Sequence, residues 1–295
     1  MSDPRLTRAN GRVAHIDLKG AVAADRFVEP QAKQVQIAKT RLCRAPVGPV
    51  ERELLCGDVF QVLEWPADDP NGWAFGYAEK DGYCGYVHAS FLHDVMEPTH
   101  LVQVRETYRQ ESADLKSGDR KHPLFFGSQV RVEGREGAWS RIALKLGGKV
   151  SDRVFHYFVP SCHLAPVGGR WSDPVDVARL FLGTPYVWGG NAGNGIDCSG
   201  LVQAALLACG VPCPGDSDLQ ERMPGEAVAL ADLAPGDLIF WKGHVAMVSG
   251  ENRVIHANAH HMAVVEEPMD VAIERIAASE TGPVTSCLRV TPPRG

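Results

Sequence analysis

From Gln36 to Asp94 the chain advances in short apolar stretches, each cut off by turn chemistry: Leu54-Leu55, Gly57-Asp58, Val59 to Leu63, Trp73 to Tyr77, Asp81-Gly82 and Tyr86-Val87. Strands that short, with turns that frequent, build a small all-β module. The plan then repeats. From Leu101 to Val167 come Phe125-Phe126-Gly127-Ser128, Val130-Arg131-Val132, Trp139-Ser140-Arg141-Ile142 and Tyr157-Phe158-Val159-Pro160. Both passages run glycine turn, alternating strand, turn, tryptophan-bearing strand, loop and short terminal strand. They are read as two copies of one small barrel, 36–98 and 99–168, against the alternative of two unrelated β modules. The charged run Glu111 to Lys121 becomes a loop of the second copy. Residues 1–35, polar and without a clear period, are read as an N-terminal arm rather than a core element.

At Trp171 the texture changes. Asp173 before Pro174 has the form of a helix N-cap with proline in the first turn, and Val177, Ala178, Leu180 and Phe181 supply apolar positions as far as Gly183. A second helix is expected from Cys198 to about Cys209, with Leu201, Ala204, Ala205 and Ala208 inward and Gly210 as its stop. Leu238 to Trp241, Val245 to Val248 and Val254 to Ala257 then read as strands of a small antiparallel sheet. The fold class is therefore α+β, with a catalytic-type domain over 172–292 after two all-β modules.

The 295-residue length suits two or three such units, and 44% hydrophobic with 22% charged residues is the balance of an ordinary globular chain. A net charge of -6 without a Lys/Arg-rich block argues against nucleic acid or anionic lipid as partner. The first twenty residues lack the apolar run of a signal peptide, and no stretch approaches a membrane span, so a cytoplasmic location is expected. In that compartment the eight cysteines are expected as thiols. Cys209 and Cys213 are too few ligands for zinc, and neither a metal nor an organic cofactor is implied. The oligomeric state is left open.

Chemistry concentrates at Cys198. A helix starting there sets the thiol beside unsatisfied backbone N–H groups and the positive end of the helix dipole, an environment expected to favour the thiolate and able to hold an oxyanion. A nucleophilic thiol needs a base, and the base an orienting group. Gly243-His244-Val245 and Ile255-His256-Ala257 flank the turn at Ser249-Gly250-Glu251-Asn252. A hairpin there brings residues 244 and 256 opposite or one step diagonal, so His244 can act as the base and His256 can fix its tautomer. His260 and His261 are expected at the surface, and the remaining cysteines as small buried hydrophobes.

Gly82-Tyr83-Cys84-Gly85-Tyr86-Val87 resembles a segment of bacterial SH3-like domains. Tyr186-Val187-Trp188-Gly189-Gly190, Asp197-Cys198-Ser199-Gly200-Leu201, Pro235-Gly236-Asp237-Leu238 and Gly243-His244-Val245 together resemble the NlpC-type cell-wall peptidases over about residues 172–290. That resemblance implies a papain-like core with Cys198, His244 and His256 as the catalytic residues. Two SH3-like barrels ahead of such a core resemble the subgroup that cleaves the γ-D-glutamyl bond to a diamino acid in wall-derived peptides, including L-Ala-γ-D-Glu-diaminopimelate.

In that subgroup the residues flanking the nucleophile, a preceding tryptophan and a later Asp-Ser pair contact substrate. On this chain they are Asp197, Ser199, Trp188, Asp216 and Ser217. A barrel tyrosine and an acidic residue also help close the cleft, for which Tyr83 is the better match and Glu51 the weaker. The resemblance thus implies a peptidoglycan-derived peptide with a free N-terminal L-Ala as substrate. Plainer roles stay open: Asp197 as a helix cap, Trp188 as core, Asp216 and Ser217 as turn formers. So do two other functions, an amidase or acyltransferase on the same core and a non-catalytic wall binder.

Overall fold

The computed structural model describes residues 3–66, 72–145 and 153–290. Residues 1–2 of the expected arm and 291–292 of the expected catalytic domain lie outside the described residues. The chain divides into two compact units, 1–168 and 169–295.

The first unit is all β. It begins with a parallel pair, β1 (Val13–His15) and β2 (Arg26–Val28). A seven-stranded sheet follows, made of β3 (Gln31–Val35), β4 (Lys39–Cys43), β5 (Val50–Leu55), β6 (Val59–Glu64), β7 (Trp73–Ala78), β8 (Cys84–His88) and β9 (Leu92–His93), in the order β5-β4-β8-β7-β6-β3-β9. The second passage gives β10 (His100–Val102), β11 (Glu106–Arg109), β12 (His122–Phe125), β13 (Gln129–Glu136), β14 (Trp139–Lys145), β15 (Val154–Pro160) and β16 (Leu164–Pro166). Five of these form a sheet in the order β15-β14-β13-β10-β16, and the Gln110–Phe158 bridge ties the β11–β12 hairpin to its β15 edge. Strand for strand this is the plan of the first sheet, down to a single 3-10 turn before the last strand. Neither ladder closes into a full barrel among the described residues; each is an open, coiled sheet with its own core, one around Leu42, Phe60 and Tyr83, the other around Leu124, Ile142 and Val159.

Residues 1–35 do more than an arm. Val13 is fully buried among Leu63, Phe75 and Tyr77, and Gln31–Val35 is a strand of the sheet. Its inward polar residue Gln34 hides the usual alternation, because its burial is compensated by hydrogen bonds to the Gly57 carbonyl and from Gln36. Gly57 marks where the two sheets meet. Its φ is +92°, and a Cβ there would stand 2.4 Å from the Gln129 carbonyl oxygen, so only glycine fits.

The second unit is α+β. Asp173 accepts the Val175 N–H at 2.8 Å and starts α1 (Pro174–Arg179), which ends earlier than its apolar pattern suggests, in i→i+3 turns up to Gly183. A small ladder of β17 (Asn191–Ala192) and β18 (Gly195–Ile196) leads into α2 (Cys198–Ala208), and α3 (Ser217–Gln220) follows. The sheet has six antiparallel strands: β19 (Glu226–Ala227), β20 (Leu238–Trp241), β21 (His244–Gly250), β22 (Arg253–Asn258), β23 (Ala263–Pro268), then, after α4 (Met269–Ala277), β24 (Ser286–Arg289). Helix α2 packs on β21 and β22. Ala272 and Ile276 of α4 pack with Ile239, Trp241, Ala246, Val248 and Val254, residues spaced by two along their strands as one face of a sheet requires.

Candidate active site

The start of α2 is built by Asp197. Its Oδ1 accepts the Gly200 N–H at 2.6 Å and the Ser199 hydroxyl at 2.9 Å, while Oδ2 accepts the Gly189 N–H at 2.9 Å. One carboxylate thereby caps the helix and ties it to the Trp188-Gly189-Gly190 turn. The glycines of both motifs follow from that contact: a Cβ on Gly200 would lie 2.5 Å from the Gly190 carbonyl oxygen, and one on Gly190 2.6 Å from that of Gly195. Gln220 of α3, fully buried, donates to the Ser199 carbonyl at 2.8 Å and holds the 214–217 segment against the same helix start.

Cys198 is buried. The β21–β22 ladder runs from the turn only as far as Met247–Ile255, and the backbone N–H groups of Val245, Ser199 and Cys198 itself act to lower the Cys198 thiol. The helix that Cys198 begins packs on the strand that His244 begins. Burial, with the Asp197 charge adding to it, pushes the thiol up to about 12 against the pull of those N–H groups. Against the expected helix-start thiolate, burial works in favour of the thiol at rest. Burial, reinforced by His256, likewise pushes His244 down to about 3. Each group is neutral by itself. Opposite charges created together in a dry site attract strongly, so passing one proton from Cys198 to His244 costs less than ionising either alone.

Behind His244 runs a chain of hydrogen bonds. Its Nε2 is 2.8 Å from Nδ1 of His256, His256 Nε2 is 2.7 Å from Oε1 of Glu267, and Glu267 is held by both terminal nitrogens of Arg275 at 2.5 and 2.6 Å. Burial opposes the Glu267 charge, but Arg275 and His256 outweigh it and keep that carboxyl well below its usual range. Burial also lowers His256, which Glu267 partly offsets.

Tyr186, Glu267 and Arg275 were not singled out from the sequence. Tyr186 is half-buried, and its phenol is pushed up first by burial and then by Cys198 and Asp197, which marks it as their neighbour. Glu267 carries a weak signal, a carboxylate at an inward position of the strand Ala263–Pro268. Of the remaining predicted residues, Trp188 is 73% exposed and so is not core. Ser199 and Ser217 are buried, and the Asp216 carbonyl starts the turn of α3. Tyr83 and Glu51 belong to the first unit. Tyr83 is buried in the core of its sheet and its hydroxyl donates to Glu51 at 3.4 Å, while Arg44 also binds Glu51 at 2.8 Å.

With this geometry in place, residues 183–276 match the NlpC/P60 family, and residues 42–92 match the bacterial dipeptidyl-peptidase Sh3 domain. Residues 183–276 are an NlpC/P60 domain. The chain is 38% identical over 106 residues to a gamma-D-glutamyl-L-lysine dipeptidyl-peptidase of Bacillus cereus, covering 33% of this chain and 32% of that one. It is 29% identical over 152 residues to a protein of the same name from Bacillus subtilis, covering 48% of each. The matched segments span from 27% to 54% of the curated relatives' own lengths. In structure, an NlpC/P60 family protein from Bacillus cereus superposes with a TM-score of 0.70 over 88% of this chain and 99% of that one, at 19% identity. The fold is therefore shared well beyond the NlpC/P60 domain, across the SH3-like sheets.

Proposed function

We propose that the protein is a cysteine peptidase that hydrolyses the amide between γ-D-glutamate and a diamino acid in peptides derived from peptidoglycan. The reading rests on one observation above the rest: Cys198 begins the helix α2 that packs on β21, and His244, the first residue of that strand, is backed at 2.8 Å by His256. Nδ1 of His244 takes the thiol proton as sulfur bonds to the γ-carbonyl carbon. The N–H groups at the start of α2 stabilise the oxyanion. The C–N bond then breaks as His244 returns the proton to the leaving amine, and water hydrolyses the thioester with His244 as base. Trp188 offers an exposed apolar surface beside the nucleophile for the peptide. The names of the Bacillus relatives support the γ-D-glutamyl linkage, and two SH3-like modules over 36–98 and 99–168 ahead of a catalytic domain over 172–292 suit it. A free N-terminal L-Ala on the substrate and a cytoplasmic role in recycling wall peptides complete the proposal.

The test is product analysis by mass on L-Ala-γ-D-Glu-L-Lys and its diaminopimelate counterpart, each with a free and an N-acetylated alanine. Release of L-Ala-γ-D-Glu from the free peptides alone is expected. Equal cleavage of the acetylated peptides removes the free-amine requirement, and no cleavage of any overturns the peptidase reading.

A further inference from the structure

His244, His256 and Glu267 form a line of hydrogen bonds with a single consistent arrangement of protons, and the far end of that line dictates the near end. Glu267 is ionised and both its oxygens are taken by Arg275 at 2.5 and 2.6 Å, so toward His256 it can only accept. His256 Nε2, 2.7 Å away and fully buried, must therefore carry the proton. A neutral imidazole protonated at Nε2 has its lone pair at Nδ1, so the 2.8 Å contact to His244 requires the proton to sit on His244 Nε2. The free lone pair of His244 is then at Nδ1, the one nitrogen left to take a proton from the thiol.

We propose that Glu267, clamped by Arg275, is a positioning residue that sets the tautomers of both imidazoles and so makes His244 a base rather than a donor toward Cys198. The inference rests on the peptidase reading for its kinetic consequences but not for its spectroscopic ones. Glu267 touches neither substrate nor sulfur; it acts through two rings. Without the carboxylate the line reverses. In Glu267→Gln the amide oxygen is drawn to the Arg275 guanidinium, which leaves the NH2 to donate to His256 Nε2. His256 then carries its proton on Nδ1, donates to His244 Nε2, and forces His244 to present Nδ1–H to the thiol. A catalytic imidazole in the wrong tautomer costs on the order of 10⁴-fold in kcat in a serine protease triad.

The experiment uses full-length protein with 15N-labelled histidine, without substrate, at neutral pH. Long-range 1H–15N spectra of the wild type are expected to place the proton on Nε2 of both His244 and His256, and those of Glu267→Gln on Nδ1 of both. Glu267→Asp, which keeps the charge, should keep the wild-type tautomers. Glu267→Gln/Arg275→Met, with nothing to draw the amide oxygen away, should return to them. In turnover, Glu267→Gln should lose about 100-fold or more in kcat with little change in KM, and Glu267→Asp and the double variant should recover a large part of it. Melting curves on each variant separate this from loss of fold. A wild-type His256 protonated on Nδ1, or a folded Glu267→Gln with unchanged tautomers, overturns the inference. A wild type that cleaves no γ-D-glutamyl peptide overturns the functional reading and leaves the tautomer result to stand or fall alone.

Discussion

His244 and His256 share a 2.8 Å hydrogen bond although they are not partners in the sheet. The ladder pairs Met247 with Ile255 and Val248 with Val254; continued one step past its last pair, that register sets Ala246 opposite His256 and leaves His244 two residues further on, on the same face. The offset matters because a direct partner would stack its ring alongside, whereas the diagonal one can meet it nitrogen to nitrogen. His244→Ala removes the base itself and should lower kcat by about 10³-fold or more, whereas His256→Ala, leaving the base in place but unoriented, should cost about 10 to 100-fold. Steady-state kinetics on a γ-D-glutamyl tripeptide decides this, and equal losses would count against the division of roles.

Cys198→Ala should abolish turnover and leave the melting temperature nearly unchanged, since it deletes one small group at a helix start. The order of alkylation should run against the order of catalytic importance. Cys162 is the one exposed thiol of the eight, while Cys198 is buried and pushed up to about 12. Peptide mapping after brief iodoacetamide treatment at pH 7 should find Cys162 first. In a Cys162→Ser background, modification of Cys198 should accelerate steadily from pH 7 to 10; a plateau reached below pH 8 would mean the thiolate is present at rest.

Acid should destabilise the second unit through His244 and His256. Folded His244 takes up a proton only near 3, whereas the unfolded imidazole does so near 6.5. Between those values the unfolded state binds more protons, so stability is highest above pH 6.5 and falls as pH drops toward 3, by up to about 1.4 kcal/mol per pH unit for each such group. Glu267, held below its usual range, adds its own loss as pH falls below about 4.5. Denaturant titrations from pH 7 to 4 should show the decline, and His244→Asn should flatten it; an unchanged slope in that variant would assign the acid sensitivity elsewhere.

The glycines carry contacts. Gly200→Ala would bring a Cβ to 2.5 Å from the Gly190 carbonyl oxygen and push the helix start away from the turn that Asp197 holds, for a loss of about 1–3 kcal/mol and of most activity. Gly57→Ala meets backbone at 2.4 Å with φ +92° and should destabilise the first unit at least as much, with no direct effect on the cysteine site. Separate thermal transitions for the two units, followed by calorimetry, would distinguish the two lesions.

Much of the molecule is written locally. Turn residues at short intervals determined the two β passages, their repeated order and the loop Glu111 to Lys121, because hairpin pairing is decided between neighbours in the chain. Asp173, Asp197 and Gly210 likewise marked helix ends through hydrogen bonds that span two to four residues, and the turn at Glu251-Asn252 brought His244 and His256 within reach of each other. What only the tertiary structure decided is long-range. How strongly the Cys198 thiol holds its proton depends on how much of the fold closes over it, and burial works against the helix dipole that the local sequence favours. Gln34 lies in the stretch read as an arm, and its burial rests on donating to the carbonyl of Gly57, far along the chain. Glu267 and Arg275 entered the site because β23 and α4 fold back onto β22, a packing of apolar faces that assigns no proton and leaves no motif, yet fixes which nitrogen of a distant histidine can act as a base.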